Sequence, residues 1–119
     1  MPAKSDMSYR DAKEDRVQIQ FRLGSALVAK IDAATEEEGC TRNDWLVEAC
    51  VMKLKGEGNP GVFRASEVTR ARIPILFRVG SKVKKAIDKD WKSNGISSRT
   101  MWIVEAILTR LDNYTFDPN

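Results

Sequence analysis

Val17-Gln18-Ile19-Gln20-Phe21-Arg22-Leu23-Gly24-Ser25 is the stretch that decides how this chain folds. Through Leu23 it alternates apolar and polar residues with period two, which predicts a strand with one face buried and the other wet. Its last five residues return as Phe77-Arg78-Val79-Gly80-Ser81, displaced by 56 positions, and Trp45-Leu46-Val47-Glu48-Ala49 returns as Trp102-Ile103-Val104-Glu105-Ala106, displaced by 57. One extra loop residue reconciles the two offsets. Stacked repeat arrays need about three or more copies to bury a continuous core, so two copies predict an approximately symmetric pair.

Working outward from the first strand, Ser25 is placed to cap a helix reaching Glu38, with Leu27, Val28, Ile31 and Ala34 on its apolar stripe. Gly39 stops that helix, in the position that tolerates a left-handed backbone. Thr41 then caps a second helix, with Asp44 three residues on in the manner of a capping box. Leu46, Cys50 and Leu54 form its stripe, with Trp45, Val47 and Ala49 alongside. The second copy repeats this grammar: Ile73, Ile75, Phe77 and Val79 alternate, Ser81 caps a helix with Val83, Ile87 and Trp91 inward, and Gly95 closes it. Ser98 caps a last helix carrying Trp102, Ile103, Ala106, Ile107 and Leu111 on its buried side.

Composition fills in the rest of the chain. Residues 1–16 are polar and aperiodic, which predicts a flexible arm; 17–54 and 72–111 are the two strand-helix-helix units; 55–71, with Gly56, Gly58, Pro60 and Gly61, is linker chemistry; 112–119 is a short polar tail. A lone strand cannot satisfy its own backbone edges, so the two strands are expected to pair antiparallel within the chain. The predicted fold is mainly α with a short two-stranded antiparallel β-ribbon, β-α-α twice, forming a pseudo-dimer. Pairing of first strand with first and of second with second between two chains is the alternative, an exchanged dimer.

At 119 residues the chain fits one compact domain, and its 42% hydrophobic and 31% charged content is too mixed for wholesale disorder. No apolar run approaches the roughly 20 residues that span a bilayer, and residues 1–16 hold no signal-peptide core, so the expectation is a cytoplasmic protein with no membrane partner. The sequence has no His and only Cys40 and Cys50. That removes the usual zinc sets and cysteine–histidine nucleophiles, and with no glycine-rich phosphate loop nothing organises an enzyme; no cofactor or metal is expected. Both thiols read as reduced and structural. Charge is lopsided: residues 17–54 carry four bases against six acids, net −2, whereas 72–111 carry nine bases against three acids, net +6. A basic half suits a polyanion, and a merely solvated helix face is the plainer explanation.

The strand Gln18-Ile19-Gln20-Phe21-Arg22-Leu23, the turn Gly39-Cys40-Thr41-Arg42-Asn43-Asp44 and its second version Gly95-Ile96-Ser97-Ser98-Arg99-Thr100 resemble the ribbon-helix-helix family of DNA-binding proteins, which includes the Arc and MetJ repressors. The tandem form resembles TraY-type accessory proteins of conjugative DNA processing. The resemblance covers both repeats, about two-thirds of the chain. It implies a ribbon in the major groove of double-stranded DNA, with outward strand residues on base edges and the start of each second helix on a phosphate. Carried onto this sequence, the base-contacting positions are Gln18, Gln20, Arg22, Arg78 and Leu76. The phosphate-contacting positions are Thr41, Arg42, Asn43, Ser98, Arg99 and Thr100, joined by Arg72, Lys82, Lys84 and Lys85 of the basic half. Gln suits adenine and Arg suits guanine, each in bidentate fashion.

The second copy departs from the pattern, since Pro74 and Leu76 stand where the first has Gln18 and Gln20. A palindromic site is therefore not expected of one chain, and the first strand is expected to supply most base contacts. Pro74 has no N–H, so its nitrogen must face the open edge of the ribbon. The expected function is that of a transcriptional repressor or a plasmid or phage DNA-processing factor. The alternative is a protein-binding module on the same fold, antitoxin-like or a phage-encoded inhibitor, using the Pro74 and Leu76 face or the acidic helix end Glu36-Glu37-Glu38.

Overall fold

A computed structural model of the chain describes residues 15–57 and 70–111. The predicted arm up to residue 14, the linker between 58 and 69 and the tail from 112 lie outside the described residues. The element order is β1 (Arg16–Gly24), α1 (Ser25–Glu38), α2 (Arg42–Leu54), β2 (Arg72–Gly80), α3 (Ser81–Ser93) and α4 (Arg99–Leu111). Strand-helix-helix thus occurs twice, as the internal repetition of the sequence requires.

The two strands pair antiparallel within the chain, from Arg16 opposite Gly80 to Gly24 opposite Arg72. This register sets odd-numbered residues against odd-numbered ones and even against even, so each side of the ribbon has one parity. The odd side is the apolar one. Ile19, Phe21, Leu23, Ile75, Phe77 and Val79 are buried against the helices, and Phe21 meets its repeat counterpart Phe77 edge to face at 6.0 Å between ring centroids. Two members of the expected inner row fall short of it. Val17 is half-buried and Ile73 is 39% exposed. Each is the second residue of its strand, so both stand at the ends of the ribbon rather than in its middle.

The helices bury most of the expected stripes, Leu54 and Trp91 only in part, and α4 goes further. Trp102, Ile103, Val104, Ala106, Ile107, Leu108, Thr109 and Leu111 are all buried, and α4 makes its main helix contact with α2. A helix covered on most sides is the centre of the core rather than its lid. The two tryptophans at equivalent positions, Trp45 and Trp102, have no exposed surface. Each is clamped by the other unit: the Arg110 guanidinium lies 4.8 Å from the Trp45 ring, and Lys53 Nζ lies 5.5 Å from the Trp102 ring. Arg110 also donates to the Trp45 carbonyl at 2.9 Å and to Glu38 Oε1 at 2.6 Å. Glu38 additionally accepts the Trp45 indole N–H at 3.2 Å, so this residue belongs to a cross-unit network and not to the solvated acidic end expected of Glu36-Glu37-Glu38.

The helix starts divide into two kinds. Thr41 and Ser98 cap as expected, their hydroxyl oxygens accepting from Asp44 N at 3.0 Å and Met101 N at 3.2 Å. Ser25 and Ser81 do not cap. They are the first helical residues, the N-cap positions are Gly24 and Gly80, and neither start has a side-chain cap. Backbone replaces the cap at α1, where Ser25 N donates to Ala71 O at 3.2 Å, and Ser81 turns its hydroxyl to Asp15 Oδ2 at 2.7 Å. The turns after α1 and α3 hold Gly39 and Gly95, each at φ 70°, a left-handed backbone that costs an L side chain about 1 kcal/mol or more. Cys50 is fully buried, and that burial pushes its thiol up to about 12; with Cys40 it is a free thiol.

Candidate nucleic-acid interface

The even side of the ribbon faces away from the core. It carries Arg16, Gln18, Gln20 and Arg22 from β1 and Arg72, Pro74, Leu76 and Arg78 from β2, all exposed and with no acid among them. Four of the five residues read as base-contacting have a polar tip on this face, and the fifth, Leu76, is 50% exposed. Arg16 was missed, because the sequence reading ended the arm there; its position two residues before Gln18 in the same alternation is the signal that could have found it. A shallow depression lined by Gln20, Phe21, Arg22, Pro74, Ile75 and Leu76 lies beside this row.

Hydrogen bonding fixes how close the outward residues stand. Asn43 at the start of α2 reaches the free edge of β2, donating from Nδ2 to Arg78 O at 3.0 Å and accepting from Arg78 N at 2.8 Å. Arg78 therefore turns both backbone groups away from β1, and by strand alternation so do the other even residues. Two consequences follow. Pro74 lies on the same parity, so its nitrogen faces the open edge, where no ladder donor is lost. The outward pairs Gln18–Arg78, Gln20–Leu76 and Arg22–Pro74 are of the non-hydrogen-bonded class, whose Cα atoms stand about 4.5 Å apart. Side chains in such a pair point at adjacent spots on any surface laid against them.

Both ends of the Asn43 amide are thus engaged at the ribbon edge. Arg42 and Arg99 are likewise engaged. Arg42 forks onto Asp32 with Nε and Nη2 at 3.0–3.1 Å, and Arg99 onto Asp88 with the same atoms at 2.8 and 3.1 Å. In each case the acid sits on the preceding helix of the same unit, and Asp32 and Asp88 are repeat counterparts. Burial would raise the Asp88 carboxyl, but hydrogen bonds from Arg99, Trp91 and Lys84, with the charge of Arg99, hold it well below the usual carboxylate range. Lys84 Nζ lies 3.3 Å from Asp88, so it too is compensated. Thr41 and Ser98 remain at their helix starts beside the backbone N–H groups of Arg42, Asn43, Arg99 and Thr100, which have no acceptor among the described residues.

Lys82, Lys85 and Arg72 are exposed and form no ion pair among the described residues. Part of the asymmetry of charge lies here. Lys82, Lys85 and Lys89 on α3 stand where α1 has Ala26, Ala29 and Ala33, and all six positions are exposed. Among the described residues no helix is long and apolar enough to cross a membrane, and no cluster of His, Cys, Asp and Glu is placed to hold a metal ion.

Known proteins give this site no label. Comparison with protein-family models, with curated proteins and with solved structures finds no match.

Proposed function

We propose that this chain binds double-stranded DNA sequence-specifically, by laying the even face of its ribbon in the major groove, as a repressor or a DNA-processing accessory factor of the ribbon-helix-helix kind. The carrying observation is the outward row of four arginines and two glutamines with no acid, held on a two-stranded sheet whose other side is the core. B-DNA's major groove, about 12 Å wide, admits a two-stranded ribbon, and four residue steps from Gln18 to Arg22 span about 13 Å along it. Arg and Gln offer the bidentate donors that guanine and adenine accept. The chain acts as a pseudo-dimer, the two units contributing one strand each to a single reading surface. Lys82, Lys85, Arg72 and the open N–H groups at the starts of α2 and α4 hold phosphates beside it.

A second reading has its own observation. Leu76 and Pro74 put an apolar step beside the depression on the same face, which would suit a protein partner. Fluorescence anisotropy with a random duplex, then with a duplex selected from a random pool, separates the two. DNA binding predicts a selected duplex preferred over the random one, with Arg22→Ala and Arg78→Ala reducing that preference. Absence of duplex binding even at 50 mM salt refutes the DNA reading.

A further inference from the structure

The outward face is symmetric in its arginines and asymmetric in what lies between them. Arg16 and Arg72 are repeat counterparts, as are Arg22 and Arg78, whereas Gln18 faces the repeat as Pro74 and Gln20 as Leu76. The register brings Gln20 and Leu76 opposite each other, so the approximate twofold axis of the ribbon passes between a hydrogen-bonding side chain and an apolar one. A surface with this layout cannot present the same chemistry to both halves of a palindrome.

Resting on the DNA reading above, we propose that the ribbon recognises a non-palindromic site whose centre is an A·T step, with Leu76 packed on the 5-methyl group of a thymine and Gln20 paired to adenine. Three observations carry it. Gln20 and Leu76 form a close, non-hydrogen-bonded cross-strand pair, so they address the same or neighbouring base pairs. Among major-groove edges only thymine offers a methyl group, and adenine's N6 and N7 match the glutamine amide. Leu76 is 50% exposed with no core role, flanked on its own face by Arg78 and across the ribbon by Arg22, whose charges fit a polyanion and not an apolar protein surface. On either side of that centre the face differs: Gln18 with Arg78 offers adenine and guanine contacts at one end, while Arg22 stands over Pro74 and offers a guanine contact alone at the other.

The test selects duplexes from a random pool with the full-length chain and resynthesises the winner with each thymine replaced in turn by deoxyuridine, which lacks only the methyl group. One or two central thymines should weaken binding by about fourfold each, the worth of one buried methyl. Leu76→Ala should bind the thymine duplex several-fold more weakly than the parent and be indifferent to deoxyuridine at those positions. The second variant, Pro74→Gln with Leu76→Gln, makes the two strands chemically equivalent and should select a palindrome. Enrichment of a duplex with no thymine sensitivity, unchanged sensitivity in Leu76→Ala, or a palindrome selected by the parent chain overturns the inference while leaving DNA binding intact. No enrichment of any duplex overturns both.

Discussion

Salt dependence distinguishes cations that are available to phosphates from those already spent on acids. Lys82 and Lys85 are exposed at the start of α3, directly after the ribbon, and form no ion pair among the described residues. Arg99 gives Nε and Nη2 to Asp88, whose carboxyl stays ionised because those same bonds hold it below the ordinary range. A compensated guanidinium releases few counterions. Each phosphate contact contributes about −0.9 to the slope of log affinity against log salt, so Lys82→Ala with Lys85→Ala should make that slope shallower by about 1.8. Between 50 and 200 mM salt the double variant should therefore lose about 12-fold less affinity than the parent. Arg99→Ala should change the slope by less than about half a unit. Its cost should fall on the fold instead, through the loss of two charge-assisted hydrogen bonds to Asp88. Anisotropy titrations at four salt concentrations on one selected duplex measure all three slopes. If instead Arg99→Ala shallows the slope by a full contact while the lysine pair leaves it unchanged, the fork to Asp88 opens on DNA and the α3 lysines are bystanders.

Other expectations follow from the same geometry. Asn43→Ala removes both bonds to the Arg78 backbone and should cost about 1–2 kcal/mol, with faster amide exchange at Arg78 than at Phe77 as the local signature. Trp45→Ala should cost about 3–5 kcal/mol in urea unfolding because it empties a fully buried site, whereas Leu76→Ala should stay within about 0.5 kcal/mol. Asp88 has a folded-state carboxyl below its unfolded value, so its contribution is complete above about pH 5 and disappears as pH falls through the folded value. The stability gap between the parent and Asp88→Asn should accordingly be constant from pH 7 to 5 and narrow towards pH 2; a gap independent of pH would show that the charge of Asp88 contributes nothing.

Much of this architecture was legible because it depends on local rules applied twice. Alternation through Val17–Leu23 and Ile73–Val79 gave the strands, the glycines at 39 and 95 gave the helix ends, and Thr41 and Ser98 gave two caps, since each of these signals acts within four residues. Several departures share a different cause. Ser25 and Ser81 look like caps by type, but the neighbouring chain at Ala71 and Asp15 supplies their partners. Glu38 looks like a solvated end until Arg110, 72 positions away, reaches it. Asn43 and Arg99 stand at helix starts, and the ribbon edge and Asp88 are partners their position alone does not announce. Spacing along a chain does not reveal which residue elsewhere will take a hydrogen bond, and each of these contacts is a bond of that kind.

Comparison of the two units shows which side chains packing alone can account for. Ile19 and Ile75, Phe21 and Phe77, Ile31 and Ile87, Trp45 and Trp102, and Ala49 and Ala106 are identical between repeats and are all buried. Asp32 with Arg42 and Asp88 with Arg99 are identical and form the same fork. Arg16 and Arg72, and Arg22 and Arg78, are identical too, yet their side chains are exposed on the ribbon and form no ion pair among the described residues. Neither core volume nor an internal salt bridge requires them there, and on such a face a neutral polar residue would serve solubility as well. Four like charges brought onto one small ribbon repel one another, a cost that falls when an anionic surface lies against them. The exposed ribbon positions that do differ, Gln18 against Pro74 and Gln20 against Leu76, lie between those arginines on the same face. The two units therefore share a frame of four exposed arginines and differ in the chemistry they place inside it.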